Sequence, residues 1–371
     1  MTGDRQDAPS AAEARVGKTL KGKWRVDRLI DVGGMGAVYA ATHRNGRQAA
    51  IKILHAQFAM DPEVRRRFLR EGYVANKIGH AGAVAILDDD VAEDGSPFLV
   101  MELLEGESLA AWLQRSGGTL PAVEVLAVAG QVLEVLNLAH ANGIVHRDIK
   151  PGNVFVTKEG HVKLLDFGLA RIRDGSISLV PTAAGIVMGT AGYMAPEQAR
   201  GTPDNVDART DLFAVGAVVF RGLAGRRVHE KPNAFDMTMA AMRDPAPSLA
   251  SVLPSAGPNL VAAVDRALAF DKVARWQNAR EMIEALRLAY EEARRRSRTP
   301  PPPLRPPMPS AVSIADEDLT YEPDEPPSLV VDVAFGPERE QAKIREQNRT
   351  REIVEGLSRL SVVVADADED E

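Results

Sequence analysis

The feature that most narrows the possible folds is a change of period near residue 104. Before it, residues 24–30, 37–42 and 48–54 are short runs rich in apolar side chains, with Arg44-Asn45-Gly46 as a hairpin turn. Residues 84–90 and 97–103 return to the same pattern around the turn Glu93-Asp94-Gly95-Ser96. One helix interrupts these strands, over residues 62–78. There Val64, Phe68, Leu69, Val74 and Ile78 fall at helical spacing, and Asp61-Pro62 supplies an N-cap and a first-turn proline. After Glu105-Gly106 the pattern becomes helical, over residues 123–141, 208–222, 259–268 and 279–296. A five-stranded antiparallel sheet with one helix, followed by a mainly helical body, predicts a two-lobed α+β fold. The cleft between the lobes is the natural place for a ligand.

Composition sets the boundaries of that core. Residues 1–18 are small and polar and read as a disordered leader, leaving residues 19–103 for the first lobe and 104–296 for the second. Residues 299–309 contain seven prolines, which favour extended polyproline II over helix. Residues 297–336 therefore read as a proline-rich and acidic linker, and 337–371 as a charged tail with a short helix. Residues 297–371 carry 17 Asp and Glu against 8 Lys and Arg, so the net charge of −7 belongs to the tail. No concentrated basic face suggests a nucleic-acid partner. With no cysteine there is no disulfide and no thiolate ligand, and any metal must sit on oxygen or imidazole. The first ten residues lack the basic and apolar regions of a signal peptide. The richest apolar stretch, residues 212–220, falls short of the ~20 residues needed to span a bilayer, so the expectation is no membrane span and a cytoplasmic location. Gly17-Lys18-Thr19 mimics the end of a phosphate-binding loop, but Ala12 stands where that motif needs glycine and no apolar strand precedes it.

Four motifs bear chemistry. In His146-Arg147-Asp148-Ile149-Lys150-Pro151-Gly152-Asn153, four side chains suited to phosphoryl transfer occupy eight residues: a carboxylate to take a proton, two cations and an amide oxygen for a metal. Asp166-Phe167-Gly168 follows Asn153 after a short hairpin, which would bring a second oxygen ligand to face the first, a set suited to Mg²⁺. The glycine-rich turn Gly33-Gly34-Met35-Gly36 lies between two strands. That placement argues against a dinucleotide site, which needs a following helix, and for a hairpin lid over phosphates. Lys52 ends an apolar strand and Glu71 lies on the next helix, so the two can pair. Ala195-Pro196-Glu197 closes a segment of roughly 30 residues after Asp166, too long for an ordinary connection.

Taken in order with Asp211, these motifs resemble the protein kinase superfamily, specifically bacterial serine/threonine kinases of the eukaryotic type, over roughly residues 20–290. The resemblance implies a bilobal kinase fold, ATP and Mg²⁺ as cofactors, and protein substrates with serine or threonine acceptors. It implies catalytic roles for Asp148, Lys150, Lys52, Glu71 and Thr190, with Asn153 and Asp166 on the metal. Nucleotide would be held by Val32, Gly33, Gly34, Gly36, Val38, Ala50, Lys52, Met101, Glu102, Leu104 and Phe155. Met101 would be the gatekeeper, and Glu102 and Leu104 would offer backbone groups to adenine. Asp211 would anchor the catalytic loop, and Arg275 would form a buried pair with Glu197. Lys150, with Gly189-Thr190 ahead of Tyr193, implies serine/threonine specificity.

Arg147 can pair with a phosphate on Ser176, Ser178 or Thr182, or with a carboxylate. In the tail, Thr320 is a candidate site for a phosphothreonine-binding partner, and Ile344, Ile353, Val354, Leu357 and Leu360 suggest a docking helix. The departure from the glycine pattern is Asp31, where the first glycine is expected. It keeps open an alternative, a pseudokinase scaffold that binds partners without transferring phosphate.

Overall fold

The computed structural model describes residues 12–167, 191–201 and 205–297. The chain divides into residues 1–312 and residues 313–371, and every described residue lies in the first unit. The linker, the tail helix and Thr320 therefore fall outside the described residues, as do Gly168, Ser176, Ser178, Thr182 and Thr190.

The first lobe is a sheet in the order β1-β2-β3-β4-β6-β5. Its strands are β1 (Thr19–Leu20), β2 (Trp24–Val32), β3 (Gly36–His43), β4 (Gln48–Leu54), β5 (Ile86–Val91) and β6 (Pro97–Met101). All neighbours pair antiparallel, so the sheet has six strands where five were expected. The addition is the two-residue β1, too short to show any alternation. Two helices follow β4, α1 (Ala56–Ala59) and α2 (Pro62–Asn76). Asp61 accepts the N–H groups of Glu63 and Val64 at 2.8 and 3.3 Å, and Pro62 sits in the first turn. That cap is worth ~1 kcal/mol and explains why α2 begins where it does.

The leader is ordered from Ala12, which corrects the expectation of disorder to residue 18. Ala12 is buried, its carbonyl accepts the Tyr39 hydroxyl at 3.0 Å, and Arg15 pairs with Asp94. Gly17 and Lys18 exchange hydrogen bonds with Val26 at 2.8 Å. Small, polar residues are here ordered by backbone pairing to an existing strand.

The second lobe follows β7 (Gly106–Ser108), with α3 (Leu109–Arg115), α4 (Ala122–Ala141), the hairpin β8 (Val154–Thr157) and β9 (Val162–Leu164), and α5 (Pro196–Ala199). It continues through α6 (Ala208–Ala224), α7 (Ala234–Arg243), α8 (Leu249–Val252), α9 (Pro258–Ala267) and α10 (Ala279–Arg296). Helix α4 is long and apolar enough to cross a membrane, which corrects the reading that no stretch approaches that length. Ten of its residues are buried, and it packs against α6 and α10 in the lobe's core. Helix α6 is capped by Asp207 and closed by Gly225, whose φ of 70° is the left-handed C-cap that glycine adopts without cost. Almost every residue from Thr210 to Leu223 is buried, so this helix is a central post for what surrounds it.

Candidate active site

A cavity of about 500 Å³ opens where the two lobes meet. Val38, Ala50, Lys52, Met101, Glu102, Leu104, Phe155, Asn153 and Asp166 line it. Val32, Gly33, Gly34 and Gly36 lie on the β2–β3 hairpin, not in its wall; Ile30 and Asp31 stand there instead. An exposed isoleucine just ahead of a glycine turn was the signal that sequence reading passed over. Gly36 is required by close approach, because a Cβ there would lie 2.3 Å from the carbonyl oxygen of Ile53. His55 steadies the turn from outside, its Nε2 lying 2.9 Å from the Gly33 carbonyl. Asp31 accepts the N–H of Val32 at 2.8 Å, so its carboxylate is engaged by its own hairpin.

At the back of the cleft Glu102 turns its carboxylate away. Lys163 donates to both its oxygens at 2.5 and 2.7 Å and the Ala85 N–H donates to Oε1 at 2.8 Å. The Glu102 N–H is likewise taken, by the Ala85 carbonyl at 3.1 Å. What remains is the Glu102 carbonyl and the Leu104 amide, the backbone groups expected to face a ligand.

The loop 146–153 is held by an unusually dense set of bonds. Asp211, fully buried on α6, accepts the His146 N–H at 2.8 Å and the Arg147 N–H at 2.7 Å. His140, near the end of α4, bonds the same carboxylate through Nε2 at 2.8 Å. His146 Nδ1 accepts the Asp148 N–H at 3.3 Å, which assigns the proton to Nε2, and that nitrogen donates to the Leu165 carbonyl at 3.0 Å. Gln198 on α5 donates to the Arg147 carbonyl at 2.8 Å. Arg147 and Asp166 are held at φ 68° and 57°, left-handed conformations that cost a non-glycine residue about 1–3 kcal/mol each. Asp166 lines the cleft, and the bonds to Asp211 offset the strain at Arg147.

Within this frame the acidic and basic groups meet. Lys150 Nζ donates to Asp148 Oδ2 at 2.7 Å, and Asn153 Nδ2 donates to the same oxygen and to the Asp148 carbonyl at 2.9 Å each. Among the described residues, Asp148 Oδ1 is buried without a hydrogen-bond partner. Lys52 forms its ion pair with Asp166. Glu71 lies on α2, but its side chain is outside what the structure describes, so the expected Lys52–Glu71 pair is not in view. Burial works against the Asp166 carboxylate, yet Lys52, with help from His146 and Lys150, holds its pKa below the usual carboxylate range.

Below the loop, Arg275 donates to both oxygens of Glu197 at 2.8 and 2.9 Å, and Thr210 donates to Oε1 at 2.8 Å. The guanidinium is completed by the carbonyls of Ala269 and Phe270 and by the face of Phe213, 4.8 Å away. Desolvation opposes the Glu197 charge, and Arg275 outweighs it, so this carboxyl too titrates low.

Residues 24–286 match the protein kinase domain model, most of the chain. The chain belongs to the protein kinase family. It is 40% identical over 276 residues to the serine/threonine-protein kinase Pkn1 of Myxococcus xanthus, covering 73% of this chain and 39% of that one. With the serine/threonine-protein kinase PknA of Mycobacterium tuberculosis it shares 36% identity over 297 residues, 78% of this chain and 66% of that one. The chain thus spans less than two thirds of the length of these curated relatives. Among solved structures, the kinase domain of Mycobacterium tuberculosis PknI superposes with a TM-score of 0.57 at 28% identity, over 74% of this chain and 97% of that one. The sheet-rich lobe, the helical lobe and the cleft between them are the bilobal kinase fold. His140 and Gln198 are the positioning residues that sequence reading missed; neither stands inside a motif, and each reaches its partner across more than 50 residues.

Proposed function

We propose that this chain is an active, Mg²⁺-dependent kinase that transfers the γ-phosphoryl group of ATP to serine or threonine hydroxyls of proteins, working in the cytoplasm. The observation that carries the reading is the divided carboxylate of Asp148. Lys150 and Asn153 occupy one oxygen, and the other is buried and unpartnered among the described residues. A buried, unsatisfied carboxylate oxygen is costly unless it has a use, and accepting a hydroxyl proton is that use.

The residues present suit the metal. Asn153 spends both amide hydrogens on Asp148, which leaves its side-chain oxygen for a cation, and Asp166 is kept ionised by Lys52. Two protein oxygens completed by phosphate are the kind of set Mg²⁺ takes, and the ion would neutralise phosphate charge there. Asp148 Oδ1 would receive the proton of the acceptor hydroxyl as the hydroxyl's own oxygen bonds the γ-phosphorus and the bond from the γ-phosphorus to the bridging oxygen breaks, with ADP leaving. Lys150 would balance charge on the migrating group, and Lys52 would turn from Asp166 toward the α- and β-phosphates. Val38, Ala50 and Phe155 would sandwich the base, with the Glu102 carbonyl and the Leu104 N–H at its edge. Val32, Gly33, Gly34 and Gly36 would close over the phosphates as a lid, and Asp31, bonded to its own hairpin, need not oppose them. Phosphorylation of residues between Asp166 and Ala195 would regulate the enzyme through Arg147.

The test is transfer from γ-labelled ATP with Mg²⁺ to a generic acceptor protein, beside Asp148→Asn. Label in the wild type and not in the variant is expected. No label in either, with the protein folded, would overturn the reading in favour of a non-catalytic scaffold.

A further inference from the structure

The segment just after residue 190 is gripped by guanidinium groups. Ala191–Tyr193 form one buried 3-10 turn, which packs on α7 through Ala191, Ala234 and Met237. Arg221, from the last turn of α6, and Arg227, in the loop that follows, stand beside the Tyr193 hydroxyl; burial raises its pKa and the two guanidinium groups act against that rise. Arg227 lies across Gly192 so closely that a Cβ there would fall 2.4 Å from its Cδ. Its Nη1 goes on to the sulfur of Met237 at 3.4 Å. Arg221 donates to the Gly118 carbonyl at 2.6 Å, and neighbouring Arg226 reaches the Arg227 carbonyl at 3.5 Å.

All of these acceptors are neutral. Among the described residues, Arg221, Arg226 and Arg227 form no ion pair with a carboxylate. Their charge is therefore held in place, half-buried and without a compensating carboxylate among the described residues, where a Coulomb interaction is stronger than in bulk water. The same segment runs into α5, which Gln198 ties to the Arg147 carbonyl beside Asp148. The three cations therefore lie along a segment that is tied to the loop carrying Asp148.

Resting on the kinase reading above, we propose that this enzyme selects acceptor segments carrying an anionic side chain close to the serine or threonine, paired with Arg227 and Arg221 across Gly192 and Tyr193. The anion is a carboxylate or a phosphate already on the substrate. Fixed cations of this kind give specificity by attracting one sign and repelling the other.

The experiment compares kcat/KM of the full chain, with ATP and Mg²⁺, on serine peptides of one scaffold flanked by glutamate, phosphoserine, glutamine or lysine. Glutamate or phosphoserine should exceed lysine by about tenfold or more, the difference lying in KM and shrinking as salt is raised. The glutamate and phosphoserine arms tell the two sources of charge apart. Arg227→Met should bring the glutamate-to-lysine ratio toward one, and Arg227→Lys should keep most of it. A clamp that only holds Tyr193 would slow all peptides alike and leave the ratio untouched, which overturns the proposal. So does wild-type transfer that is indifferent to flanking charge or prefers lysine, and that result leaves the kinase reading standing. Absence of transfer to any acceptor overturns both.

Discussion

Asp211 Oδ1 accepts the backbone N–H of Arg147 at 2.7 Å, across 64 residues of sequence, and Arg147 is the loop residue held at φ 68°. A carboxylate at the buried start of a central helix is thus the partner of the most strained peptide in the catalytic loop. The companion bond to the His146 N–H means that both donors need an acceptor with two oxygens.

Asp211→Asn removes one of those oxygens and turns an amide N–H toward a backbone N–H. The expected cost is about 2–3 kcal/mol of stability, since bonds to a buried charged acceptor are lost and a donor is left unsatisfied. Because Asp148 lies one residue beyond Arg147, phosphoryl transfer should fall on the order of 100-fold, as expected for a small displacement of a reacting group. Urea denaturation reads the first effect and transfer under saturating ATP reads the second. A variant of normal stability and rate would remove Asp211 from its anchoring role.

Lys52→Met should leave Asp166 without its partner and slow transfer by about 10²–10³. The pH dependence of stability gives a separate readout. In the native protein the Asp166 pKa is depressed, so its contribution to stability is complete above the ordinary carboxylate value of about 4 and is lost as pH falls through the lower, folded-state pKa. The variant lacks that contribution. Its deficit relative to wild type should be largest near neutral pH and narrow as the solution is acidified below pH ~4. A deficit that stays constant with pH would contradict the ion pair.

For the Glu197–Arg275 pair, breaking one side is expected to cost more than removing both. Arg275→Met strands a buried carboxylate and should destabilise by about 3–5 kcal/mol, whereas adding Glu197→Leu should recover part of that loss. Glu197 titrates low only while Arg275 is beside it, and without that partner burial raises it, so the single variant's deficit should shrink as the solution is acidified into and through the usual glutamate range. A double-mutant cycle by chemical denaturation checks both, and additive losses would mean the pair is not coupled.

The parts of the site legible in the sequence are those where chemistry imposes residue types at fixed spacing. Asp148, Lys150 and Asn153 fall within six residues, and the hairpin returning Asp166 beside them is short enough to read from turn signals. The strand runs and α2 were legible for a similar local reason, alternation and an Asp-Pro start. What was not legible depends on where distant elements land. Lys52 lies on a strand in either case, but its choice of Asp166 as a partner is made by the approach of the two lobes. His140 and Gln198 are common residues at unremarkable positions until α4 and α5 are set against the loop. Helix α4 does not show as a long apolar run because Glu124, Gln131, Glu134 and Asn137 interrupt it, while its average stays apolar. The leader was misread because composition reports average behaviour, not the single tyrosine that needs an acceptor.

That tyrosine gives the last prediction. Tyr39 is 1% exposed in the core of the first lobe, and its hydroxyl has the carbonyl of Ala12 as its acceptor. Deleting residues 1–18 removes that acceptor, the Arg15–Asp94 pair and the backbone bonds to Val26. The surface pair contributes little, and the buried hydroxyl contributes about 1–3 kcal/mol if left unsatisfied in a dry site. Truncation should therefore lower the midpoint of thermal unfolding, and Tyr39→Phe should cost less in the truncated chain than in the full one. If the truncation merely opens the site to water, the hydroxyl is solvated and Tyr39→Phe is close to neutral in the truncated chain, whereas in a site that stays dry the substitution stabilises it. Thermal unfolding of the four proteins decides whether residues 12–18 are a structural part of the sheet or a strap lying on it.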